Sequence, residues 1–182
     1  FDYGRPASIT LAVMVNRGGR ELPIAPQISA LETADIAVLR AEQLTSLSTD
    51  QVAILSTDQW AAMSVDQFSA LTVDQVPVIQ NDKISSLGVA KLQVLNGDQV
   101  AVLTTGQLRA LTTDQFVGIQ ETQIASLNQG HIEALTNTEM AVLTSSQIGA
   151  MSTVQVDALT TSVVAGLSST QLNALSTNQV SK

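Results

Sequence analysis

Seven aspartates could do chemistry together. Asp50, Asp58, Asp66 and Asp74 fall eight residues apart, and Asp82, Asp98 and Asp114 continue the column. Carboxylates at a fixed spacing can hold a hard cation such as calcium. Each eight-residue unit, however, supplies one carboxylate and no glycine-rich binding loop, and beyond Asp114 the column turns mostly to Thr, Ser and Val. A first-turn Asp also complements the positive end of a helix, and that is the role expected here. No metal site is expected; Asp50, Asp58, Asp66 and Asp74 are the candidates if there is one. His131 with Glu133 and Glu139 is the other cluster of titratable groups, and it too is assigned a structural role, because no second His supports a zinc site. The rows of Ser, Thr and Gln could form a flat polar face for a glycan. Equally, they could satisfy helix N-termini that recur every eight residues.

Composition narrows the chemistry further. The chain has 182 residues, no Cys and one His, with sixteen Asp and Glu against eight Lys and Arg. It has no thiol nucleophile or disulfide framework, and neither a Ser-His-Asp arrangement nor a phosphate-binding glycine motif can be picked out. We therefore expect no enzyme and no cofactor. A net charge of -8 argues against binding nucleic acid through a basic surface. No apolar run approaches the roughly 18 residues of a membrane span.

The elements that position these residues are dictated by a repeat of eight. Stepping by eight from Leu31 to Leu175 meets nineteen apolar residues, fifteen of them Leu. Stepping from Ile36 to Val180 meets another nineteen, including Trp60, Phe68, Phe116 and Met140. The residue before this second anchor is Gln in thirteen of the nineteen units. One continuous helix cannot use such a pattern, since eight residues overshoot two turns by roughly 80° and the apolar seam would wind around it. A strand would throw the two anchors onto opposite faces, because their spacings of five and three are odd.

The consensus Leu-Ser/Thr-Thr-Asp-Gln-Val-Ala-x reads instead as a helix start copied every eight residues. With Ser48 as N-cap, Gln51 is the third helical residue, which gives a capping box, and Leu47 and Val52 take the staple positions around it. Ser56 with Gln59, Thr104 with Gln107 and Thr112 with Gln115 repeat the arrangement. Helices this short are unstable alone, so stacking must hold them. The expected fold is all-α: a tight solenoid of one-to-two-turn helices, one per octad, with a short β-like N-terminal segment. Leu47, Val52, Leu55, Trp60, Met63, Phe68, Leu71, Leu111 and Phe116 are expected in its core. Two octads per coil is the favoured packing, and three per coil the alternative. Pro77 is expected to distort its unit by removing a helical hydrogen bond. Residues 80–98 are the most degenerate stretch of the first half, with Lys83 and Lys91 in the Gln column and Gly88 at a cap position.

Three segments follow. Residues 1–22, with strand-like Ile9–Val15 and a turn at Asn16–Gly19, read as an N-terminal cap or the tail of a preceding domain, with a β-hairpin in prospect. Residues 23–27 form a Pro-containing linker, and 28–182 the octad solenoid. The start at Phe1 reads as a processed protein or a piece of a longer one, and the in-register finish at Gln179-Val180 as an array that continues in the parent chain or stacks on another copy.

The run Leu47–Leu71, LSTDQVAILSTDQWAAMSVDQFSAL, resembles octapeptide arrays of very large secreted and surface proteins of Gram-negative bacteria, of the type I-secreted RTX-like or adhesin-like kinds. The resemblance implies a secreted or cell-surface location and a structural role, with secretion signals elsewhere. This sequence has no GGxGxD repeat, so calcium-driven folding is not implied. The functional expectation is a spacer, stalk or self-associating fibre element whose copies join through open solenoid ends. The alternative is a module that binds a glycan or protein partner through its Ser/Thr/Gln face.

Overall fold

The computed structural model describes residues 32–180. The segments assigned above to 1–22 and 23–27, including the β-hairpin, lie outside the described residues. Within them the chain forms eighteen α-helices of four to six residues and one 3-10 turn, and no strand. None of these helices is long and apolar enough to cross a membrane.

Each helix begins where the capping residues dictate. Ser48 has an extended backbone (φ -70°, ψ 161°), and its hydroxyl accepts from the Gln51 amide 3.2 Å away. In return the Ser48 amide donates to Gln51 Oε1 at 2.8 Å. The same reciprocal pair is closed at Ser56 and Gln59, Thr104 and Gln107, and Thr112 and Gln115. Two of the four orphan amides of a helix start are thereby satisfied. The helix then stops after about a turn and a half, because the next anchor and cap return to extended backbone.

Helices stack on the third one along. Ser145–Gly149 packs on Ser169–Ala174, Gly97–Ala101 on Glu121–Ser126, and Thr33–Ala37 on Thr57–Ala62. The starts of the first pair differ by 169 − 145 = 24 residues, so one coil takes three octads. The favoured two-octad coil is thus corrected to three. The reason is visible in the packing: the anchors of most octads are buried in one shared core that three short sides enclose, whereas Val164, Leu172 and Val180 in the last described coil are exposed.

The anchors form one continuous core. Leu47, Val52, Leu55, Trp60, Met63, Phe68, Leu71 and Phe116 are all buried. Trp60 and Phe68, on successive sides of the coil, meet edge to face with ring centroids 6.0 Å apart. Leu111 is only half-buried. It lines, with Ile119, Leu108 and Leu127, an apolar cavity of about 20 Å³ where the core contains no aromatic side chain. Pro77 has the expected effect on its unit: residues Val76–Val78 form a 3-10 turn in place of an α-helix.

Close approach between coils also needs small residues. A Cβ on Gly118 would lie 2.2 Å from Val89 Cγ1, a residue of the coil before. A Cβ on Gly97 would similarly meet Ser126 Oγ of the coil after at 2.7 Å. The last position of one octad therefore packs against the third position of the octad one coil away, 29 residues along the chain (118 − 89 = 29), and the sizes of the two compensate.

Candidate functional site

The most regular chemical feature of the molecule is the Gln column, and from Gln67 on each Gln has two jobs. Its Oε1 completes the capping box of its own helix. Its Nε2 reaches into the preceding coil and donates to two backbone carbonyls there. Gln107 donates to Val76 O at 2.8 Å and Ile79 O at 2.7 Å. Gln115 donates to Ile84 O at 2.9 Å and Leu87 O at 2.7 Å. Gln123 and Gln155 repeat this on Leu92 and Leu95 and on Ile124 and Leu127. These carbonyls lie where one short helix ends and the chain turns the corner; Val76 O and Ile84 O also accept the amides of Ile79 and Leu87, so the Gln is a second donor there, while Ile79 O and Leu87 O are the free ends of the turn. A single amide thus caps the start of one helix and the end of another, a coil away.

The amides are buried. Gln107 is 1% exposed, which places its four hydrogen-bonding contacts out of competition with water. Among the described residues no buried side-chain nitrogen or oxygen lacks a partner. A fully satisfied buried polar seam fixes register, since sliding a coil by one residue would strand both carbonyls and amide.

Five positions depart from Gln within the described residues, apart from Asp35 at the first helix. Lys91 donates from Nζ to Trp60 O and Ala61 O, both at 2.7 Å, so it tethers the same corner with an ammonium. Burial pulls the Lys91 ammonium below the ordinary lysine range. Lys83 bonds Thr57 Oγ1 at 3.0 Å and the Asp82 carboxylate at 2.8 Å. The Lys83 hydrogen bond in turn holds Asp82 below the usual carboxylate range. His131 uses both ring nitrogens: the Asn128 amide lies 3.2 Å from Nδ1, and Leu103 O 2.6 Å from Nε2. Glu139 accepts the Thr136 amide at 2.6 Å, completing its capping box, but a carboxylate has no hydrogen to give the preceding coil. Val163, 24 residues further on and on the same side, has neither function (163 − 139 = 24).

The other candidates are dispersed. Asp50, Asp58 and Asp66 are exposed residues of successive first turns, Asp74 is exposed just ahead of the 3-10 turn, and no group of three His, Cys, Asp or Glu among the described residues could hold a metal ion. Glu133 is exposed and accepts from Gln129 Nε2 at 2.7 Å. The cap hydroxyls of Ser48, Ser56, Thr104 and Thr112 are engaged as acceptors at helix starts. Sequence reasoning missed the second job of Gln. The signal was there in the choice of amide, because Glu serves a capping box equally well, yet an acid-rich chain uses Glu in this column only once between Gln43 and Gln179.

The model of the ALTTAQ repeat matches residues 28–65. Short helices at the same eight-residue period run on across the described residues. Short stretches are also similar to proteins described as bifunctional protein PyrR. One from Ralstonia nicotianae is 54% identical over 46 residues, covering 23% of this chain and 26% of that protein. One from Nitrosococcus oceani is 68% identical over 28 residues, covering 15% and 16%. One from Akkermansia muciniphila is 69% identical over 26 residues, covering 14% and 15%. The chain thus spans about a quarter or less of the curated relatives it matches. No solved structure matches it.

Proposed function

We propose that the chain is a structural repeat module, a three-sided helical rod that serves as spacer, stalk or fibre element of a secreted or cell-surface bacterial protein. The supporting observation is the glutamine ladder. From Gln67 on it joins each coil to the one before through at least one buried amide, so further coils add length without new construction. Solenoids of this kind are quasi-one-dimensional, and their stability is a sum of unit and nearest-neighbour terms. Copies would join end on end through the same donors and acceptors that join coils within the chain, and such a heterologous contact propagates when its rotation does not close. The location rests on the resemblance of the octads to arrays of secreted surface proteins.

The test is dimensional. Small-angle scattering of this chain and of variants lengthened or shortened by whole 24-residue coils should give a constant cross-section and a length linear in coil number. A cross-section that changes with coil number would refute the rod. Specific retention of the chain on a glycan array, lost when exposed Thr113, Thr153 and Thr161 are replaced by Ala, would favour the binding reading instead.

A further inference from the structure

We infer that His131 is an acid-sensitive latch in one coil of the stack. Every Gln of the ladder bonds its coil in a way that no change of pH between neutral and mildly acidic can alter. His131 occupies the same place with a titratable ring and is 2% exposed. Its two backbone contacts define the tautomer; the third neighbour of the ring, Asn128 Nδ2 at 3.4 Å from Nε2, donates to Ala101 O at 3.1 Å. The Asn128 backbone amide can only donate, so Nδ1 at 3.2 Å must be an acceptor. Leu103 O can only accept, so Nε2 at 2.6 Å must carry the hydrogen. Only the neutral Nε2–H imidazole satisfies both. A second proton would sit on Nδ1, facing the Asn128 N–H, with a buried charge and no acceptor. The capping box of helix Gln129–Ala134 would lose one of its two bonds, while the inter-coil bond to Leu103 would be pulled with the ring.

The surroundings do not offset this. The helix packs between Thr105–Arg109 and Thr153–Asp157. From the first, Arg109 donates through Nε to Ala134 O at 2.9 Å and brings positive charge to the same helix. From the second, Asp157 is exposed, as is Glu133 on the helix itself, which is engaged by Gln129. Glu139 on the following helix takes the Thr136 amide. Acidification therefore loosens the junction between the coil of Leu103 and that of His131, while on the same side Gln107 and Gln155 keep the junctions before and after it tethered.

The comparison variant is His131→Gln, which installs the residue of the other units and removes the chain's one imidazole. Amide hydrogen exchange, corrected for intrinsic rates, should show residues 128–135 opening faster by about tenfold or more in the wild type when the pH falls from neutral to mildly acidic, the equivalent of one lost buried hydrogen bond. His131→Gln should show no such pH-dependent loss of protection. Nitrogen chemical shifts of the ring at neutral pH should report the Nε2–H tautomer. Equal pH dependence in the two proteins, or the Nδ1–H tautomer, would overturn the latch.

Discussion

At the scale of the residue, the molecule turns on the difference between an amide and a carboxylate. Gln and Glu both complete a capping box, but only Gln also donates. Gln107→Glu should therefore keep its bond from the Thr104 amide, 2.8 Å long in the parent, and lose both bonds to Val76 and Ile79. The carboxylate would face two carbonyl oxygens in a buried place. Chemical denaturation should show a loss of about 1–3 kcal/mol or more. Glu139→Gln is the converse. It should add donations to the carbonyls at the homologous offsets, Leu108 and Leu111, and gain about 0.5–1.5 kcal/mol per bond. A melting temperature unchanged or lowered by Glu139→Gln would contradict the two-job account of the column. The cap hydroxyls belong to the same scale: Ser48→Ala, Ser56→Ala, Thr104→Ala and Thr112→Ala should each cost about 1 kcal/mol in a denaturant titration.

At the scale of the element, no helix here stands by itself. Four to six residues cannot overcome the cost of nucleation, so each helix exists because its neighbours complete it. In most of them the N-terminus is capped by a Ser, Thr or Asn together with a Gln, and the corner by a Gln of the next coil. The sides of each helix meet residues one coil away. Gly118 against Val89 is the tightest of these contacts, and Gly118→Ala should destabilise by about 1–3 kcal/mol through overpacking. Val89→Ala should restore most of the loss, because it removes the Cγ1 that an added methyl would strike. A double-mutant cycle on these two positions measures the coupling. Independent, additive effects would show that the coils do not interlock there.

At the scale of the whole molecule, the ladder makes stability cooperative along the axis but uneven between sides. The side carrying Gln115, Glu139 and Val163 loses its amide tether at two successive coils, whereas the side carrying Gln99, Gln123, Gln147 and Gln171 keeps it throughout. Native-state hydrogen exchange should find the lower protection at the first, around residues 108–111 and 132–135 (139 − 31, 139 − 28, 163 − 31 and 163 − 28). Uniform protection on all sides would mean that core burial, not the ladder, decides where the stack opens.

The sequence by itself determined the unit. Two apolar columns eight residues apart, a cap hydroxyl and a Gln three residues on are local signals, and they were enough to place Ser48, Gln51, Trp60 and Phe116 in their helices or caps. What they could not give was the number of units per coil. Two and three octads bury the same anchors, and the choice depends on contacts between residues 24 to 31 apart that leave no strong period in the side-chain types. Only the tertiary structure showed that three sides close around the axis, that Leu111 borders a gap, and that the far end of each Gln side chain is spent on the coil before. An amide's oxygen serves a neighbour three residues away and can be read from spacing. Its hydrogens serve carbonyls 28 and 31 residues away, as Gln107 does for Ile79 and Val76, and backbone carbonyls have no letter in a sequence.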